Sequence, residues 1–169
     1  MIGALIVVFA GTVTGMQLGG FYARRPRELK SLTAALLLLK TEISYAATPL
    51  PEALTEVARR ADPAVSPFFN AAAFHLKNFQ GTTAARAWSE ALAETGHTLA
   101  LREEDAEVLR ALGTALGNSC REEQAQHISL AIERIKAAAT SAEADAVRYE
   151  RLYKFLGFGT GAALAILLY

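Results

Sequence analysis

The chain has 169 residues, the size of one domain. Its 17 basic and 17 acidic residues cancel, it carries one cysteine, and 52% of it is apolar, with a mean hydropathy of +0.21. That balance argues against a nucleic-acid binder, the lone cysteine excludes an intramolecular disulfide and a cysteine-based zinc site, and the apolar content excludes disorder.

Every charged residue falls between Arg24 and Lys154. Residues 1–23, MIGALIVVFAGTVTGMQLGGFYA, are uncharged. About 20 such residues in a helix span roughly 30 Å, the hydrocarbon thickness. A cleaved signal peptide carries its positive charge before the apolar run. Here Arg24, Arg25 and Arg27 follow it, so the spacing predicts a retained transmembrane helix. Gly11, Gly15 and Gly19 put a smooth stripe on that helix, suited to close helix packing in lipid.

Leu29, Leu32, Leu36, Leu39 and Ile43 step three and four residues apart, and Leu37 and Leu38 widen their face. This predicts a first cytoplasmic helix continuous with the membrane segment, with Pro26 near the junction. Thr48-Pro-Leu-Pro stops it, because a residue before proline avoids the helical region and proline cannot donate. A short helix is expected over about 51–61, with Pro51 in its first turn and Thr48 capping it. In Ser66-Pro, serine reads as an N-cap and proline as the first helical residue. The helix that follows has Phe69, Ala72, Leu76 and Phe79 on one face and closes at Gln80-Gly81. Thr82 or Thr83 caps the next, which holds Trp88 and Leu92 and ends near Gly96. Acids after Arg102 suit the start of a fifth helix. Its Val108, Leu109, Leu112 and Leu116 face inward, and Gly117-Asn118 ends it.

From Arg121 no breaker appears before Gly157. Ile128, Ile132, Ile135, Ala139, Ala142, Ala146, Tyr149, Tyr153 and Leu156 alternate steps of three and four, a seam that runs unbroken into the apolar end. This seam has two uses that do not exclude each other: packing against the first long helix and, along its alanine-rich half, meeting another subunit. Residues 155–169, FLGFGTGAALAILLY, reach about 22 Å, short for a span. They read as a second transmembrane helix with Lys154 snorkelling, or as an apolar helix lying on the bundle. Gly157 and Gly161 again form a small-residue stripe. The flanking Arg24, Arg25, Arg27 and Lys30 on one side, and Arg148, Arg151 and Lys154 on the other, put residues 24–154 in the cytoplasm. The fold expected is all-α: a cytoplasmic antiparallel bundle of about six helices, its first and last continuous with hydrophobic membrane helices.

Catalytic patterns are missing. His75, His97 and His127 lie on different elements, and neither HExxH nor Glu-x-x-His occurs, although a bundle-core di-metal site needs such spacings. There is no Walker A sequence and no GxSxG. Cys120, at a helix start, lacks a visible partner. The expectation is a protein without enzymatic activity, metal or cofactor.

Three stretches carry a family likeness: Arg25-Pro-Arg-Glu-Leu after the membrane helix, Thr41-Glu-Ile-Ser-Tyr-Ala-Ala-Thr-Pro-Leu-Pro-Glu-Ala-Leu54, and Leu116-Gly-Asn-Ser-Cys-Arg-Glu-Glu-Gln-Ala-Gln-His-Ile128. With the hydrophobic C-terminus they resemble the stage III sporulation protein AB family of endospore-forming bacteria, over essentially the whole chain. The family pattern has Asp where Cys120 stands. Asp is a good helix cap and Cys a poor one, so Asn118 or Ser119 is expected to take over by starting the helix earlier. The resemblance implies a bundle like the helical domain of the platform (F) protein of type II secretion and type IV pilus machines. It implies a non-catalytic membrane platform subunit of a channel complex between mother cell and forespore, in the mother-cell membrane surrounding the forespore. Its implied partners are a cytoplasmic secretion-type ATPase and other sporulation membrane proteins. The partner-binding candidates are Glu42, Tyr45, Thr48, Pro49, Leu50 and Glu52, in a turn that reads either as an interface or as architecture. Two alternatives belong to other classes: a self-associating membrane-tethered scaffold, and a small membrane enzyme or metal-binding bundle.

Overall fold

The computed structural model describes the backbone of residues 2–168 apart from 47, 79, 80 and 119, and the side chains of residues 22–149 apart from 47, 79, 80, 118, 119 and 121. Among these residues there are six α-helices and no strand: α1 (Ile2–Ser44), α2 (Leu50–Arg60), α3 (Ser66–Asn78), α4 (Ala84–Thr95), α5 (Glu103–Asn118) and α6 (Arg121–Leu168), with a 3-10 turn at Gly96–Thr98. No helix among the described residues is long and apolar enough to cross a membrane. The spans expected at 1–23 and 155–169, and the glycine stripes on them, fall almost wholly outside the residues whose side chains are described.

The two long helices make the spine, and α2 to α5 pack in succession between them, α5 closing back onto α6. In α1 the predicted stripe Leu29, Leu32, Leu36, Leu39 and Ile43 is buried, while Leu37 is 55% exposed and Leu38 half-buried. Pro26 lies inside α1 without ending it. Thr33 and Thr41 give their hydroxyls to the carbonyls four residues back, the local bond that fits threonine to a helix.

The antiparallel sense of α1 and α6 follows from two contacts. Tyr22 stacks on Tyr149 with centroids 3.8 Å apart, and Lys30 pairs with Glu143. Ala131, Ile135, Ala139 and Ala142 of α6 enter the core. Ala139 and Ala142 are buried within the chain, where their small side chains let α1 and α6 come close, so these two residues serve the packing along α1. Ile132, Ala146 and Tyr149 are half-buried at the seam's edge.

The short helices have local causes. In α2, Pro51 sits in the first turn and Arg59 and Arg60 in the last, as the macrodipole favours. Thr48 does not cap it: the N-cap residue is Pro49, with no side-chain bond. Nor does Ser66 cap α3. Its hydroxyl donates to the Ala58 carbonyl at the end of α2, 2.6 Å away, and Asp62 organises the connection by accepting from the Ala64 N–H. Of the face expected on α3, Phe69 and Ala72 are buried and Leu76 half-buried; Phe79 lies outside the described residues. Phe68 is also fully buried and meets Trp88 edge-on at 4.9 Å. Gly81, at φ +80°, makes the turn only glycine takes readily, and Thr83 caps α4 by accepting from the Arg86 N–H.

At the start of α6 the helix does not begin early to replace the missing Asp cap. It begins at Arg121, leaving Cys120 as the flanking residue. Glu123 accepts from the Cys120 N–H at 3.3 Å, and Gln124 donates to the Leu116 carbonyl at the end of α5. This is half of a capping box, the carboxylate half.

Candidate functional site

The bundle has two chemically distinct ends, about 35 Å apart along α1 at 1.5 Å per residue. One is the turn after α1. The other lies where Tyr22 meets Tyr149.

At the first end, the closing carbonyls of α1 are taken up locally. Tyr45 and Ala46 give their N–H groups to the Thr41 carbonyl, and Thr48 gives its own to Glu42. The Thr48 hydroxyl also donates to the Glu42 carboxylate at 3.2 Å, and Arg60 of α2 stands 3.5 Å from that carboxylate. Glu42 therefore ties the end of α1 to both the turn and α2. Leu50 packs against the core. Three of the six candidates in this turn face solvent: Tyr45 at 85% exposure, Pro49 and Glu52. The other three are half-buried and serve the turn's own structure. The two readings of this segment thus divide by residue: Glu42, Thr48 and Leu50 hold it, while Tyr45, Pro49 and Glu52 are presented by it.

At the second end, a charge network binds α1 to the α4–α5 connection. Arg25 and Asp105 are each only 3% exposed and form a two-pronged pair, with N–O distances of 2.8 to 3.2 Å. Asp105 also accepts from the Arg102 N–H at 2.8 Å, so it caps α5 while neutralising Arg25. Glu28 accepts from the Ala100 N–H and from Arg24, whose guanidinium also reaches the Thr98 carbonyl at 2.8 Å. Arg102 crosses to Asp145 of α6 at 2.8 Å. The hydrogen bond to Asp145 raises the pKa of the Arg102 guanidinium, so its positive charge is secured. The Tyr149 phenol is likewise raised, first by its hydrogen bond to Tyr22.

The basic flank read from the sequence is therefore split. Arg25 is consumed inside the protein, and Arg24 is held by Glu28 and Thr98, whereas Arg27 and Arg148 are exposed. The side chains of Arg151 and Lys154 are outside the described residues. Asp105 and Glu28 are the residues that organise this end. Their only signal was an acid in a helix's first turn and an acid four residues after an arginine.

No group of three or more metal-binding side chains occurs among the described residues. His75 is flanked by Glu90 and Glu94 of α4, and Cys120 is exposed.

Comparison with known proteins agrees from three directions. The family model described as stage III sporulation protein AB matches residues 1–169. Stage III sporulation protein AB of Bacillus subtilis (strain 168) is 36% identical over 169 residues, covering 99% of this chain and 98% of the relative. A solved structure of stage III sporulation protein AB (SpoIIIAB) superposes with a TM-score of 0.68 at 35% identity, covering 73% of this chain and 97% of that one. The chain belongs to the stage III sporulation protein AB family.

Proposed function

We propose that this protein is a non-catalytic platform subunit of a sporulation channel complex. In this reading it is anchored in the mother-cell membrane around the forespore by its apolar ends. Its helical bundle stands in the cytoplasm and couples a secretion-type ATPase to membrane components of the complex. The observation that carries the reading is the turn after α1. It holds a nearly fully exposed tyrosine on a hydrogen-bonded frame about 35 Å along α1 from the clasp at Tyr22. Exposed aromatics on rigid supports are the residues that most often anchor protein partners.

The test is capture from sporulating cells. Tagged full-length protein, extracted in mild detergent, is expected to bring down a secretion-type ATPase and other sporulation membrane proteins, read by mass spectrometry. The combined change Tyr45→Ala and Glu52→Arg is expected to lose the ATPase and keep the membrane proteins, with thermal unfolding unchanged. Recovery of the protein alone, with the ATPase present in the lysate, would overturn the platform reading. Equal ATPase capture by the variant would move the contact away from this turn.

A further inference from the structure

The opposite end carries an inference about where the protein meets lipid. Tyr22 of α1 and Tyr149 of α6 stack on one another although they are 127 positions apart in the chain. In membrane proteins tyrosines are enriched at the interface, where the amphipathic ring sits at headgroup level, and this pair lies next to both uncharged segments. Along α6, Tyr149 precedes Lys154 by about 7.5 Å, and the uncharged segment starts right after Lys154. On α1 the uncharged segment ends at Ala23, one residue past Tyr22, so the pair stands between the hydrocarbon edge and the depth of the headgroup layer.

The α4–α5 connection is fixed beside this pair, by contacts about 3 to 9 Å from it along the two long helices. Arg24 holds the Thr98 carbonyl, Glu28 holds the Ala100 N–H, and Arg102 interacts with both Asp145 and Tyr22. The corner made by residues 96–102 thus stands beside the tyrosine pair without belonging to either long helix. His97 and Thr98 at its tip are exposed. The corner opens on a cleft of about 240 Å³ lined by Leu92, Leu101 and Ala106, with His97, Arg102 and Arg110 at its polar side and Glu103 as its single carboxylate. Glu103 is 74% exposed in its pair with Arg110. A pair so open to water is weak, which leaves the Arg110 guanidinium available to exchange it for a phosphate.

We propose that the α4–α5 corner is seated in the phospholipid headgroup layer, its cleft receiving a lipid phosphate between His97, Arg102 and Arg110. The apolar floor suits the glycerol region of the same lipid. The bundle is then held to the bilayer at a third point besides α1 and α6. This fixes its tilt and therefore the direction in which the distant Tyr45 turn points. The inference rests on the reading of the apolar ends as membrane anchors.

The experiment uses the full-length chain with Cys120→Ser as background, reconstituted in vesicles of phosphatidylethanolamine and phosphatidylglycerol in equal parts. A fluorophore is placed on Thr98→Cys or, as a control, on Pro49→Cys, and nitroxide is carried on the lipid headgroup. Strong quenching at 98 and none at 49 is the expected result. Adding His97→Gln and Arg110→Gln is expected to cut the quenching at 98 roughly by half, since the change removes the Arg110 charge near the surface and the His97 ring from the phosphate cleft. Trp88 emission monitors the fold in each case. A chain that resists alkaline carbonate extraction but shows no quenching at 98 would overturn the seat alone. A chain released by carbonate would overturn the membrane anchors and the seat with them. Quenching unaffected by the double change would overturn the cleft as the phosphate site.

Discussion

Arg25 stands two residues past an uncharged segment, where a basic side chain is expected to face the membrane surface, yet its charge is used inside the bundle. Removing a charged partner from a buried pair leaves an unpaired ion, which costs far more than the intact pair contributes. Asp105→Ala is accordingly expected to destabilise the protein by about 3–5 kcal/mol in urea unfolding. The change also deprives the Arg102 N–H of its acceptor. Glu103→Ala, two residues away in an exposed pair with Arg110, is expected to cost under about 1 kcal/mol. If the two changes cost the same, the buried pair is not what holds α1 to α5. Gly113 makes a second residue-scale case. A Cβ built there comes within 2.5 Å of the Trp88 ring, and the backbone position of α5 is set by that ring. Gly113→Ala is therefore expected to destabilise by about 1–3 kcal/mol through overpacking, in spite of alanine's better helix propensity.

At the scale of elements, the start of α6 shows what a helix does with a poor cap. Glu123 supplies its half of the capping box to the Cys120 N–H, while the other half, an oxygen at position 120 for the Glu123 N–H, is missing. Cys120→Ser completes the motif and is expected to raise stability by about 1 kcal/mol, read as a higher urea midpoint at unchanged slope. The elements themselves were legible wherever periodicity and breakers agree. The five-residue apolar stripe of α1, the proline stop at 48–51, Gly81, the Thr83 cap and the acidic start of α5 each carry a local physical cause, and each is in the structure. What escaped the sequence was the destination of polar side chains. Ser66 and Thr48 both look like caps, but their hydroxyls go to Ala58 and Glu42, because those acceptors are brought near by tertiary packing. Arg25 and Asp105 are 80 residues apart, and no local pattern joins them. Phe68 lies outside the stripe read for α3 because α4 covers a second side of that helix with Trp88.

For the whole molecule, the joint of α1 with α6 decides how the two ends communicate. Ala139 and Ala142 are 3% and 1% exposed against α1, with the Lys30–Glu143 pair at the same level. A larger side chain at either position has no room unless the two long helices separate. Ala139→Leu and Ala142→Leu are each expected to cost about 1–3 kcal/mol by overpacking. Distant substitutions add, whereas these two share one joint and are expected to be non-additive when combined. Separation of α1 from α6 at this level would also strain the network that ties Arg25 to Asp105 and Arg102 to Asp145, since that network spans both helices through α5. The same pair of variants decides between the two uses of the alanine stripe. Lower stability at unchanged oligomeric mass in detergent is the outcome expected from a stripe closed within the chain. Unchanged stability with a loss of oligomers would mean that the stripe serves a neighbouring subunit. The closed arrangement makes α1 and α6 one rigid strut over the level of the bundle. A pull on the turn at Tyr45 would then reach the clasp at Arg24 without being absorbed by sliding between the long helices.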